Sequence, residues 1–130
     1  MTVVESVIQI LRHDPDAKIL VCAPSDAACD VVAKRLFPIL PVEHKVLRAN
    51  WWARKYDSLP PELLSCSLID ENGSFVMPRK IQIEAASVIV CQCFVAGCLD
   101  IYDKEEWMSR YFTHTFIDES SQSFEFESLI

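Results

Sequence analysis

Asp118 and Glu119 stand side by side at the end of an apolar, β-prone run, Phe112-Thr113-His114-Thr115-Phe116-Ile117, and two small hydroxyl residues, Ser120 and Ser121, follow them. Such a run reads as a buried strand that delivers acids to the carboxyl edge of a parallel sheet, where open α/β folds place their ligands. Two carboxylates there can divide the work of phosphoanhydride hydrolysis. Asp118 would anchor a hard cation such as Mg²⁺, mostly through water, and Glu119 would orient or deprotonate the attacking water. The same pair is also what a turn opening with two solvated acids looks like. A second stretch, Ala23-Pro24-Ser25, weighs towards the chemical reading.

The elements that must position these groups alternate along the chain. Residues 1–13 place Val3, Val4, Val7, Ile8, Ile10 and Leu11 at helical spacing, with no evident cap at the start, and Asp14-Pro15 stops the helix. Lys18-Ile19-Leu20-Val21-Cys22-Ala23 is continuously apolar after its lysine, the mark of a strand covered on both faces. Pro24-Ser25-Asp26 ends it, and Ser25 or Asp26 can cap a helix from Ala27 to Leu36, whose inward stripe reads as Ala28, Val31, Val32, Arg35 and Leu36. Lys45 to Ala49 is a short strand, and Asn50 to Ser87 is irregular, with a hairpin at Asn72-Gly73 and a helix over Arg79–Ala86. Trp51-Trp52 in that region either stack on bases or cap the edge of the core. Ser87 to Cys91 is a second fully buried strand; an acidic segment, Tyr102 to Tyr111, precedes the strand into Asp118, and Phe124 to Ile130 begins a helix. Apolar strands alternating with helices predict one α/β unit with a mostly parallel sheet.

Composition narrows the function classes. The 130 residues are half hydrophobic and include only two glycines, which excludes a low-complexity or disordered chain. A formal charge of −7 argues against an autonomous nucleic-acid binder, which needs a basic face. Cys22, Cys29, Cys66, Cys91, Cys93 and Cys98 show no Cys-x-x-Cys pair and sit mostly in apolar runs, so they read as buried small hydrophobes of a reducing cytosolic or nuclear compartment, and a cytoplasmic protein is expected. No apolar run approaches the ~20 residues of a membrane span, and no signal peptide is expected.

Three segments in register resemble the superfamily 1 helicases, specifically the up-frameshift-type and Moloney/Armitage-like RNA helicases. Ile19-Leu20-Val21-Cys22-Ala23-Pro24-Ser25-Asp26-Ala27-Ala28-Cys29-Asp30 is similar to motif Ia; Val88 to Gly97 is similar to the next nucleic-acid-contacting strand and turn; Phe116-Ile117-Asp118-Glu119-Ser120-Ser121-Gln122 matches the Walker B box. The resemblance implies a partial RecA-like core of the P-loop NTPase class, with helices on both faces of the sheet, ATP and Mg²⁺ as cofactors and single-stranded RNA as partner, with ribonucleoproteins beside it. It implies that Asp118 holds Mg²⁺, that Glu119 activates water, and that Gln122 lies near the nucleotide and links it to the nucleic-acid side. Pro24, Ser25, Asp26 and Gln92 would face the phosphates of the strand, positioning rather than specifying it. Asp26 stands where Asn is usual and adds a negative charge beside a polyanion; Gln92 replaces Thr, and Phe126 a Pro. Gly-x-x-x-x-Gly-Lys-Thr occurs nowhere. The resemblance therefore implies that the chain begins just after that loop and lacks the second RecA domain. It would then be a helicase fragment inactive towards ATP by itself, or else a helicase-derived binding or scaffold module.

Overall fold

The computed structural model describes residues 2–41, 44–99 and 111–118. The expectations placed on Glu119, Gln122, Phe126, most of the acidic segment and the helix starting at Phe124 lie outside these residues.

Two βα pairs supply the frame. Helix α1 (Val3–His13) leads to β1 (Ile19–Ala23), α2 (Asp26–Leu36) and β2 (Val46–Arg48); then come α3 (Lys80–Ala85), β3 (Val88–Gln92), α4 (Cys93–Cys98) and β4 (His114–Ile117). The strands form one sheet in the order β2-β3-β1-β4, every neighbouring pair parallel. All residues of β1 are buried, as its unbroken apolar run predicts. Alternation assigns the two faces. Ile19, Val21 and Ala23 of β1, with Val88 and Val90 of β3, pack on Val4, Val7 and Leu11 of α1 and Cys29, Val32, Ala33 and Leu36 of α2. Leu20, Cys22, Ile89 and Cys91 point the other way, onto Ile83 of α3 and Val95 of α4. The sheet is thus covered by helices on both faces, as a parallel sheet requires.

Four local expectations need correction. The first helix is capped after all: Thr2 Oγ1 accepts from the Glu5 amide at 3.2 Å, the three-residue spacing of a Thr-x-x-Glu start. The inward stripe of α2 is Cys29, Val32, Ala33 and Leu36, whereas Val31 and Arg35 are exposed. A helix, α4, follows β3 at once, where a turn was expected. The last strand is not buried: His114, Thr115 and Ile117 are exposed, because β4 is the outer strand among the described residues. A groove of about 430 Å³ beside it, lined by Ile10, His13, His114 and Phe116 among others, runs between β4 and α1.

The irregular region between β2 and β3 contains two 3₁₀ turns, Tyr56–Ser58 and Pro61–Cys66, and the predicted hairpin. Gly73 has φ +80°, and Asp70 Oδ1 accepts from the amides of Asn72 and Ser74, closing a tight turn that leaves Phe75 buried in the core.

Candidate functional site

Because the strands are all parallel, the tips of β1, β2, β3 and β4 end on one rim. Ala23 of β1 is the register partner of Gln92 on one side. On the other, the Asp118 amide donates to Cys22 O at 2.8 Å, continuing the β1–β4 ladder by one residue. Gln92, Ala23 and Asp118 therefore stand in a row. At the usual strand spacing of about 4.8 Å, the backbones of Gln92 and Asp118 are separated by about 10 Å.

The chain turns at Pro24, half-buried, and enters α2 through Ser25, which is exposed. Ser25 is the helix cap: its Oγ accepts from the Ala28 amide at 3.1 Å. A hydroxyl so engaged still has its own proton to donate outward, and the free amides of the first helical turn lie beside it. Gln92 is half-buried at the end of β3, in extended conformation immediately before α4. Asp118 is half-buried at the end of β4. Four of the sequence-predicted site residues, Pro24, Ser25, Gln92 and Asp118, are thus brought to one edge.

Asp26 behaves differently. It opens α2, and its carboxylate accepts from Arg48 Nη2 at 2.8 Å, with Arg54 Nη1 3.7 Å away. Asp30, one turn later, accepts from Arg48 Nε at 3.0 Å and from Arg54 Nη2 at 2.7 Å. Arg48 also donates to Ala49 O at 2.7 Å, and Arg54 to Asn50 Oδ1 at 2.8 Å and to Ser58 O at 2.9 Å. Asn50 in turn donates to Ser67 Oγ. Two carboxylates and two guanidiniums form a charge-balanced cluster that ties the first turn of α2 to the segment following β2. Burial by itself would make Arg48 less basic; the carboxylates of Asp30 and Asp26 outweigh this and hold its guanidinium above its ordinary value. Asp26 consequently presents no free negative charge to the rim. Sequence reasoning missed Arg48, Arg54 and Asn50. The signals were an arginine at the end of an apolar strand and acids four residues apart on one helix face.

The same neighbourhood removes Cys29 from thiol chemistry. Five of the six cysteines, Cys22, Cys29, Cys66, Cys91 and Cys93, are buried, and Cys98 is half-buried. Burial pushes the Cys29 thiol up to about 12, beyond any role as a nucleophile at neutral pH. Among the described residues no group of three or more His, Cys, Asp or Glu side chains could enclose a metal ion. Among the described residues the tip of β4 carries one carboxylate, Asp118, and that suits Mg²⁺, which keeps most of its waters and takes only one or two carboxylates from a protein. Asp118 fits that role, and it does not fit a dehydrated transition-metal site.

Comparison with known proteins agrees with this architecture. A Danio rerio chain whose name marks it as a mov-10-B.2 helicase is 32% identical over 132 residues, covering 100% of this chain and 12% of its own length. The mouse RNA helicase Mov10l1 is 31% identical over 133 residues, 100% of this chain and 10% of its own. The Drosophila melanogaster chain armi, named as an RNA helicase, is 28% identical over 149 residues, 100% of this chain and 12% of its own. The chain thus spans only 10–12% of the length of these relatives. No family model matches, and no solved structure matches significantly. Parallel strands sheathed by helices on both faces, matched along the whole chain to helicases, form part of a RecA-like core, and the chain is homologous over its whole length to a segment of the superfamily 1, Moloney/Armitage-like RNA helicases.

Proposed function

We propose that these residues form part of the ATP-binding domain of an RNA helicase, in which ATP hydrolysis drives movement along a single RNA strand. The observation that supports this best is the row Gln92–Ala23–Asp118, with an amide residue and a carboxylate residue on either side of one buried strand tip. In this reading Asp118 holds Mg²⁺, Glu119 orients or deprotonates the attacking water, and Gln122 contacts the nucleotide. Mg²⁺, when bound, neutralises the charge of the ATP phosphates. Ser25 donates its hydroxyl proton to an RNA phosphate while its oxygen keeps the helix capped; Gln92 offers an amide N–H; Pro24 fixes the bend between them. Phosphate contacts of this kind are indifferent to sequence, which suits a protein that must move along its substrate.

The partners implied are single-stranded RNA and the ribonucleoproteins that carry it. Six cysteines, five of them buried in apolar surroundings, agree with a reducing compartment, the cytoplasm, and no helix among the described residues is long and apolar enough to cross a membrane.

The deciding experiment uses the full-length protein. Asp118→Ala and Glu119→Gln should each abolish RNA-stimulated ATP turnover, while Glu119→Gln leaves nucleotide binding largely intact. If Glu119→Gln removed binding and turnover equally, or if both variants still turned over ATP, the assignment of roles would be wrong.

A further inference from the structure

The tip of β2 carries chemistry that the phosphate contacts do not use. Trp51 and Trp52 follow Arg48 by three and four residues, and Phe94 follows Gln92 by two. The three rings form a row: Phe94 and Trp51 meet edge to face with centroids 5.0 Å apart, and Trp51 and Trp52 are tilted at 5.3 Å. Trp51 is half-buried and packs on the core of the α3–α4 face. Trp52 is 61% exposed and Phe94 38%. One ring is therefore an anchor, and its two neighbours present π-surface to solvent.

The ordering of the strands fixes where this row lies. From β2 to β4 the rim reads Trp51/Trp52, then Phe94 and Gln92, then Pro24-Ser25, then Asp118. Both tryptophans lie on the side of the Pro-Ser bend away from Asp118, and Phe94 begins two residues from the proposed phosphate-facing amide. A purely structural role explains Trp51. It does not explain Trp52, whose indole is the largest exposed apolar group on this rim and is held in place through Trp51.

We propose that Trp52, with Phe94, is a stacking platform for the bases of the same single strand whose phosphates Ser25 and Gln92 meet. This rests on the RNA-binding reading above and adds to it a subsite that recognises π-faces. Every base has such a face, so the subsite is tolerant of sequence, and an aromatic row anchored in the core loses little freedom on binding.

The test compares two ligands on the full-length protein: a uniform single-stranded RNA oligomer and an abasic ribose-phosphate oligomer of equal length. Wild type should bind the base-bearing strand the more tightly. Trp52→Ala should weaken that binding by roughly 5- to 150-fold, the range measured for loss of one stacked base, and leave abasic binding and the slope of affinity against salt unchanged. Trp52→Phe should recover most of the loss. Trp52 is exposed, so the urea midpoint should not move. Equal weakening towards both oligomers, or none towards either, would overturn the stacking platform while leaving the phosphate contacts standing. If wild type bound neither oligomer, the RNA-binding reading and the platform would fall together. If Trp52→Ala instead abolished capture of a protein segment with RNA affinity untouched, the ring would be a protein contact and the proposal wrong.

Discussion

Replacing Arg48 by Met is the most discriminating perturbation of this fold. The guanidinium is fully buried and makes three short bonds, to Asp30 at 3.0 Å, to Asp26 at 2.8 Å and to the Ala49 carbonyl at 2.7 Å. Methionine fills most of the same volume, so little cavity arises and the effect reports on charge and hydrogen bonding. Removing one partner of a buried ion pair costs about 3–5 kcal/mol, because the charge left behind is uncompensated. Here two features pull towards the lower end. Asp30 keeps Arg54, 2.7 Å away, and Asp26 is 31% exposed and can be hydrated. The expectation is therefore about 3 kcal/mol, a large fraction of the ~5–15 kcal/mol that holds a typical domain together. With a urea m-value of ~1–3 kcal/mol/M, the unfolding midpoint should fall by about 1–3 M, followed by circular dichroism. Combining Arg48→Met with Arg54→Met should cost more than the two separately, since the second substitution strands both carboxylates. A loss below about 1 kcal/mol for Arg48→Met, or simple additivity of the pair, would refute the view that these four groups act as one desolvated unit.

Asp26→Asn should cost only about 1 kcal/mol, since the amide oxygen can still accept from Arg48; the cluster then carries one net positive charge, so single-strand RNA binding should tighten by about 2- to 5-fold with a steeper salt slope, and unchanged affinity would mean the bend does not touch the strand. Ser25→Asp keeps a capping oxygen for the Ala28 amide but removes the outward proton and adds a negative charge; stability should hold within ~0.5 kcal/mol while RNA binding falls, and retained binding would exclude Ser25 from the contact. Cys29 stays protonated in the folded chain until about pH 12, whereas the unfolded thiol ionises near 9.0, so the stability it lends is complete below pH 9 and drains away as pH rises towards 12, at about 1.4 kcal/mol per unit; Cys29→Ala should show a shallower alkaline decline in urea midpoints. The 130-residue chain alone, lacking any Gly-x-x-x-x-Gly-Lys-Thr loop, should release no phosphate from ATP above background, and measurable turnover would overturn the resemblance-based division of labour.

What the sequence made legible follows from periodicity and backbone chemistry. The unbroken apolar stretches ending at Ala23 and Cys91 can only be strands covered twice, and they are the two central strands. Parallel central strands put Pro24-Ser25 and Asp118 on one rim almost by necessity. The stripe of α2 was read correctly at Val32 and Leu36, but Cys29 and Ala33 take the inward places given to Val31 and Arg35, a rotation too small for the pattern of a short helix to settle. Exposure of β4 was invisible for another reason: an apolar strand reads the same whether its outer neighbour is present or not. The Arg48–Asp26–Asp30–Arg54 cluster joins residues 18 to 28 positions apart through space, and no local pattern encodes such a pairing. Asp26, suspected as a liability for binding an anion, turned out to have an internal employment that only coordinates could reveal.

The position of β4 has a practical consequence. Among the described residues no strand pairs with its outer side, so the backbone groups of β4 that do not bond to β1 stand open there, with Ile117 43% exposed alongside. Such a margin can recruit extended peptide from any source, including further copies of itself. Colloidal behaviour, more than unfolding, should therefore set the working concentration of this polypeptide, and the mutual repulsion of seven surplus negative charges is its main safeguard against clumping.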